Sequence, residues 1–494
     1  MTISNAINNA LSGLRANGRM SEVTAGNLAN ALTPGYGRQS VQLGASVTGT
    51  QGTGVRVNGV ARALDPELSE ARRQADGELA GRDAVLQALT ELERGLGELD
   101  APGSLTNRLG AFEGALRQLG ETPESGPREQ AAAEAARDLA DTFDRIAGRT
   151  VELRGRTDRA IGAAVEDLSA DLGAFARLNR QIQIATAAGR ETAPMIDQRE
   201  RLIDRIAQAV PLRQSMREDG VVELRTREGV MMADITARPV EYATTPVYEP
   251  GLSYAAGAGT LSGLAIAGTD VTPGGPGSQA IRDGRLAGLF EVRDATAPEF
   301  ERRLDSLAAD LITRLGDPAV DPSLAPGDAG LFTDRGGAFA LADITGIASR
   351  IELNAAVDPA AGGYPARLRD GMNAAAPGPV SNDAVIRALS EALSADRDVG
   401  TPPATPGLAG ELSLADSVGG IVELTSMARV SSEAETSSLS NAREVLANEE
   451  ATRLGVDSDE ELSQLVQIEQ AYSANAQVIR AASRMLDELT RIGS

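Results

Sequence analysis

SNAINNALSGLRANGRMSEVTAGNLANAL, residues 4–32, decides how the rest of the chain is read. Its apolar or small residues fall at Ile7, Leu11, Leu14, Gly18, Ser21, Ala25, Leu28 and Leu32, alternately four and three apart. That spacing places them on one helical face as a heptad seam. The seam is thin, and Gly13, Gly18 and Gly26 each cost a helix interior about 1 kcal/mol relative to Ala. Such a helix is marginal alone and predicts a partner. Thr33-Pro34-Gly35-Tyr36-Gly37 stops it, because Pro34 disfavours helical geometry in the residue before it. Residues 47 to 63 then alternate around Val55, Val57 and Val60, which predicts a short hairpin or extended arm.

The other end of the chain repeats the device. Residues 459–492 carry a seam at Leu465, Ile468, Tyr472, Asn475, Ile479, Ala482, Leu486 and Leu489, again three and four apart. Ser458 and Glu461 fit the N-cap and N3 positions of a capping box. A seam Asn such as Asn475 fixes register at a cost in stability. Two thin amphipathic helices at opposite ends of one chain invite pairing with each other or with neighbouring subunits. An ordinary bundle whose termini meet fits the periodicity equally well.

Between the ends, Pro66 to about Ala209 is rich in Ala, Leu, Arg and Glu, with breaks near Ala101-Pro102-Gly103 and Glu124-Ser125-Gly126-Pro127. This predicts an antiparallel bundle whose longest helix, from about Arg128 to Ala188, reaches roughly 90 Å. After Pro211, Val221 to Leu224, Val230 to Ile235, and Val240 with Tyr242 read as strands, and Ile281 to Leu315 as embedded helix. Ile344 to Leu353 and Tyr364 to Leu368 also look like strands, and helix returns at about Asp416. The expected fold is α+β, mainly α, with paired terminal coiled-coil helices, a long helical bundle and a beta-rich outer domain inserted in the middle. The corresponding units are 1–63 with 451–494, 64–210 with 411–450, and 211–410 with helix near 281–316. At 494 residues, a prior of about three domains agrees.

Composition removes most chemistry. There is no Cys, no His and no Lys, so all 47 basic side chains are Arg. That excludes Cys and His nucleophiles, a Ser-His triad, a Schiff-base or P-loop Lys, and Cys or His zinc ligands. The formal charge of -23 disfavours nucleic acid and anionic membranes, which need a concentrated basic face. No apolar run approaches the roughly 18 residues of a membrane span, and the N-terminus lacks the pattern of a cleaved secretory signal. The acidic run Asp457 to Glu461 fails as a calcium loop, since Leu462 stands where Gly is required. Arg154, Arg156 and Arg159 read as a solvated helix face. No catalytic, cofactor or metal site is expected.

Asn8-Asn9-Ala10-Leu11-Ser12-Gly13-Leu14, Asn27-Leu28-Ala29-Asn30 and Thr33 to Gln39 resemble the N-terminal signature of the flagellar axial family of rod, hook and hook-associated proteins. Glu461-Leu462 through Leu465, Gln470-Ala471-Tyr472-Ser473-Ala474-Asn475 through Ile479, Met485 and Leu489 are similar to its C-terminal signature. Gly35-Tyr36-Gly37-Arg38-Gln39 lies nearer the hook-associated branch than the rod or hook branches. Asp197-Gln198-Arg199 and Gly284-Arg285-Leu286-Ala287-Gly288-Leu289 resemble internal segments of that branch. The likeness covers about the first 65 residues, the helical region to Ala209 and about the last 80.

The resemblance implies a non-enzymatic subunit without cofactors, exported unfolded through the flagellar type III apparatus and assembled extracellularly as a ring between hook and filament. Its implied partners are further copies of itself, flagellar hook protein, an adjacent hook-associated protein or the filament side, and an export chaperone at the C-terminal helix. Nucleic acid and membrane are not among them. The implied assembly interface comprises Ile7, Leu11, Leu14, Asn27, Leu28, Asn30, Pro34, Gly35, Tyr36, Leu465, Ile468, Tyr472, Asn475, Ile479, Leu486 and Leu489. Alternatives are another axial subunit of rod or hook, or a secreted carbohydrate-binding or carbohydrate-active protein.

Overall fold

The computed structural model describes residues 3–33, 36–48, 51–97, 101–254 and 259–492. Helix α1 (Ile3–Ala29) leads into an antiparallel hairpin of β1 (Gln39–Thr48) and β2 (Gln51–Arg62), with bulges between Gln42 and Leu43 and between Ser46 and Val47. The hairpin starts earlier than the expected 47, because polar Gln39 to Gln42 pair along the same ladder as the valines. Four helices follow: α2 (Pro66–Leu96), α3 (Leu105–Glu121), α4 (Gly126–Ala187) and α5 (Ala193–Ala209). Their starts are written locally. Asp65 accepts from Leu68 N at 3.1 Å with Pro66 at the first turn, and Ser104 accepts from Asn107 N at 3.2 Å, so each satisfies an otherwise orphaned donor. At 62 residues, α4 is about 93 Å long.

The middle of the chain holds small sheets only. Strands β3 (Leu212–Met216), β4 (Val222–Thr226) and β5 (Met231–Ala233) form one, and β6 (Val240–Glu241), β7 (Ala265–Ile266) and β8 (Thr269–Asp270) another. Next come α6 (Arg285–Glu291), a π-turn at Val292–Thr296 and α7 (Ala297–Leu315). Then follow β9 (Phe332–Asp334), β10 (Ile351–Leu353), α8 (Arg367–Asp370), α9 (Ala384–Ser394), β11 (Arg397–Asp398) and β12 (Glu411–Leu412). Helices α10 (Leu414–Leu454) and α11 (Ser458–Ile492) close the chain. The fold is mainly helical with small sheets. Two expected strands change type: Ile347–Ser349 is a 3-10 turn before β10, and Tyr364 begins a turn into α8. Gly346 in the left-handed region and Pro365 break those runs locally.

Two apolar cores lie along α4. Leu139, Phe143, Ile146 and Leu153 join α3, α7, β9, β10, α9 and the start of α10. Ile161, Val165, Leu168, Leu172 and Phe175 join α5, α6, β3 to β7 and Val271. With aromatics at 3%, the large fillers are placed singly or in pairs, as where Phe112 meets Phe332 edge-on at 5.9 Å. Each core draws on both the 64–210 helices and the 211–410 segment, so the sheets pack onto the bundle and lack a core of their own. Among the described residues, no helix is long and apolar enough to cross a membrane.

Candidate assembly site at the paired termini

Helices α1 and α11 pack along each other, and the β1–β2 hairpin lies against α1. On α1 the buried stripe is Ala10, Ala16, Val23, Thr24 and Asn27, turned by about one residue from the heptad seam. Small residues decide this. Gly13 approaches α11 so closely that a Cβ would lie 2.8 Å from Asn475 Nδ2, and Val55 N of the hairpin donates to Ser12 Oγ at 3.1 Å. The larger seam side chains are left outward: Leu11 is 40% and Leu28 36% exposed, while Ile7 and Leu14 are half-buried. Sequence spacing identified an apolar stripe, but the intramolecular partner takes the neighbouring face.

On α11 the seam turns inward from Leu465 to Ala482, Tyr472 excepted. Ile468 and Ala482 are buried, and Leu465, Asn475 and Ile479 are half-buried. Tyr472, Leu486 and Leu489 face outward with Leu462, Val466, Val478 and Met485. Pro34 and Gly35 lie outside the described residues. Asn30 donates from Nδ2 to Gly26 O at 2.9 Å, holding the end of α1, and its Oδ1 accepts from Thr33 Oγ1.

Asn27 is the polar centre of the site. Its Nδ2 donates to Gln39 O at 2.8 Å and to Glu461 Oε2 at 3.1 Å, and its Oδ1 accepts from Gln39 N at 3.0 Å and Tyr36 Oη at 2.9 Å. Arg38 completes it, donating from Nε to Glu461 Oε1 at 2.7 Å and from its backbone N to Leu454 O at 2.9 Å. Asn27 and Glu461 are each 1% exposed, a depth at which an unpaired charge is costly. The arrangement therefore ties α1, the start of β1 and the start of α11 into one geometry. Burial pushes the Tyr36 hydroxyl pKa up, with Asp197 and Glu461 adding to the shift.

The capping box is corrected. Asp457, not Ser458, caps α11, its Oδ1 accepting from Asp459 N at 2.9 Å and Glu460 N at 3.2 Å. Glu461 turns away from its own helix end because Asn27 and Arg38 give it stronger partners.

Ion pairs connect this site to the helical region. Arg62 of β2 donates to Asp197 of α5 at 2.5 Å, and burial still holds the Asp197 carboxyl above the usual range. Arg72 pairs with Asp76, Asp204 and Glu450, and Arg73 with Glu200 and Asp204, joining α2, α5 and α10. The Asp197-Gln198-Arg199 segment thus acquires physical roles. Asp197 faces the hairpin, and Arg199 donates to Asn179 Oδ1 and Gly220 O.

A second polar cluster lies between the two cores. Arg154, read from sequence as a solvated residue, is 1% exposed and donates to Arg293 O, Leu252 O and, at 2.7 Å, Glu301 Oε2. Arg293, fully buried, donates to Asp158 Oδ1 and Tyr242 Oη and stacks over Phe290 at 4.6 Å. Arg156 and Arg159 remain exposed. Helical phase was the available signal, since steps of three, four and four lead from Arg154 through Thr157 to apolar Ile161 and Val165 on one face. Among the described residues, no group of three or more acidic side chains is placed to hold a metal.

Two chain ends paired as helices, with large apolar side chains left outward along them, are a surface suited to packing against further helices. Residues 89–317 match the family model described as flagellar hook-associated protein FlgK helical domain, and residues 453–492 match flagellar basal body rod FlgEFG protein C-terminal. Flagellar hook-associated protein 1 of Bacillus subtilis (strain 168) is 24% identical over 94% of this chain and 94% of its own. That of Escherichia coli (strain K12) is 23% identical over 99% and 100%. The flagellar hook junction protein FlgK from Burkholderia pseudomallei, a solved structure, aligns at a TM-score of 0.43 and 16% identity over 55% of this chain and 46% of its own. Along nearly its full length the chain is thus similar to flagellar hook-associated protein 1.

Proposed function

We propose that this chain is a structural, non-enzymatic subunit that self-assembles at the junction between flagellar hook and filament. The observation that carries the reading is the outward stripe on α1 and α11. Tyr472 is 51%, Leu486 39% and Leu489 56% exposed, beside Leu11 and Leu28. Fully burying one such Leu contributes about 1.5–3 kcal/mol, so covering the stripe drives association and stabilises helices that are weak alone. Similarity to flagellar hook-associated protein 1 supports placement with other axial components.

Several finer readings belong to the same proposal. Ile7, Leu11, Leu14, Leu28, Tyr472, Leu486 and Leu489 contact neighbouring subunits, Asn27, Asn30, Tyr36, Asn475, Leu465, Ile468 and Ile479 shape the pair, and Pro34 and Gly35 belong to the same assembly interface. Residues 1–63 with 451–494 act as the assembly unit, 64–210 with 411–450 as its supporting rod, and 211–410 as the outer part. Export through the flagellar type III apparatus, a chaperone on α11 before assembly, hook protein on one side and filament or a second hook-associated protein on the other complete the reading.

A strain lacking the protein tests it by electron microscopy. Intact hooks without filaments, and flagellin shed to the medium, are expected. Loss of the hook itself overturns the junction assignment in favour of a rod or hook subunit.

A further inference from the structure

Charge along the solvent face of α4 is banded. Glu134, Asp138, Asp141 and Asp144 are followed by Arg145, Arg149, Arg156 and Arg159, with Glu152 the single acid among the arginines, and then by Glu166 and Asp167. Spacings of three and four keep these positions on one side of the helix, and all are exposed except Arg145, which is half-buried. Arg145 donates to Gly103 O and Arg156 pairs with Glu91. Arg149 and Arg159 make no ion pair among the described residues. Burial lowers the Arg145 pKa, and the neighbouring Arg149 and Arg108 charges lower it further. In a chain of net charge -23, this is a positive stretch in which Arg149 and Arg159 are left without internal ion pairs among the described residues.

Helix α10 presents the complement. Its last buried residue is Ser432, and from Glu433 to Leu454 it packs mainly on α2, with its remaining faces bare. Met427, Val430 and Val445 are 57%, 52% and 65% exposed. The bare stretch is Ser-rich, a poor composition for a helix covered on one side only. It is also acidic: Glu433, Glu435, Glu444, Glu449 and Glu450 stand against Arg443 and Arg453. Glu444 makes no ion pair among the described residues, and the others pair with Arg429, Arg82, Arg453 and Arg72.

We propose that neighbouring copies of this chain contact laterally through these two surfaces, the arginine stretch on α4 of one copy lying against the acidic stretch of α10 on the next. The proposal rests on the self-assembly reading above. Two different complementary surfaces on one chain make a heterologous contact, the kind that propagates around a ring or helix. The stretches match in length, about 21 Å for residues 145–159 and about 24 Å for residues 433–449. The acidic bands on either side of the arginines set the register, because a slip of about 20 Å along α4 brings acid against acid. Screening over about 8 Å at physiological salt is shorter than that spacing, so a mismatched register is not averaged away.

Full-length chains introduced into a strain lacking the protein provide the test, read as the amount incorporated into purified flagella. Arg149→Glu with Arg159→Glu is expected to reduce incorporation at least about fivefold, several weak exposed pairs being lost and made repulsive together. Glu433→Arg with Glu444→Arg is expected to do the same, and the four changes combined to restore it. Because the chain has no cysteine, a chain carrying Arg149→Cys and Glu433→Cys should give disulfide-linked multimers in flagella and none as purified monomer. Unaltered incorporation of both reversed chains, loss not restored by the combination, or absence of multimers overturns the contact. If the unaltered chain is itself missing from flagella, the self-assembly reading fails along with it. If it is present while the reversals are silent, this contact alone fails.

Discussion

Asn27 and Glu461 stand 434 positions apart, yet each is buried on the other's account. Replacing Asn27 with Ala leaves the Gln39 backbone pair and Tyr36 Oη without their partner and removes one of two partners from a buried carboxylate. The expected cost is about 2–4 kcal/mol. It should appear as faster amide exchange at Gln39 and the first turn of α11, with little change in the α4 cores. Uniform loss of protection throughout would contradict that local role.

The polar cluster between the cores gives a residue-scale pH dependence. Burial pushes the Glu301 carboxyl up to about 7, outweighing the opposing Arg154 charge, and Asp305 up to about 6 despite donors from Gly346 and Ala348. Both lie above the ordinary carboxylate values of about 4, so the folded chain holds these protons more tightly than the unfolded chain. Their contribution is full below about pH 4 and is lost as pH rises through about 6 to 7. Glu301→Gln should therefore flatten the decline in urea midpoint between about pH 5 and pH 7, by an effect on the order of 2 kcal/mol. A slope identical to that of the parent chain would rule Glu301 out as its source.

At the scale of elements, helix α6 is held against α2 by contact of backbone on backbone. A Cβ at Gly288 would fall on the Gly81 carbonyl, and one at Gly81 would lie 2.7 Å from Gly284 O. Neither carbonyl can move without displacing its helix. Gly288→Val is expected to destabilise the fold by about 3 kcal/mol or more, measured as a lowered denaturant midpoint, whereas Gly114→Ala, with nothing near its Cβ position, should be neutral or slightly stabilising. The Gly284 to Leu289 segment was recognisable in sequence as a family likeness. Why it needs glycine became apparent only when α2 was set beside it.

Taken whole, the molecule is a rod with two cores along α4 and a slender helical pair at its end. The pair adds few fully buried apolar side chains, Ile468 and Ala482 on α11 among them, so the cores do not depend on it. Removing residues 459–492 should leave thermal unfolding of the cores within a few degrees of the full chain while abolishing incorporation into flagella. Retained incorporation would refute the role given to the terminal pair.

The two terminal helices, the stops between them and the unusually long α4 were legible in the sequence, because periodicity, caps and breakers act over a few residues. The absence of Cys, His and Lys likewise bounded the chemistry before any coordinate was known. Which face of α1 turns inward was not legible. Small residues at Ala10, Gly13 and Ala16 admit close approach while Leu11 and Leu28 remain outside, a choice made by fit to α11 and the hairpin. Nor could local pattern show that Arg154 is buried or that Glu461 abandons its own helix end. Buried charge takes its partners from wherever the tertiary fold supplies them, here 98 to 147 residues away for Arg154 and more than 400 for Glu461.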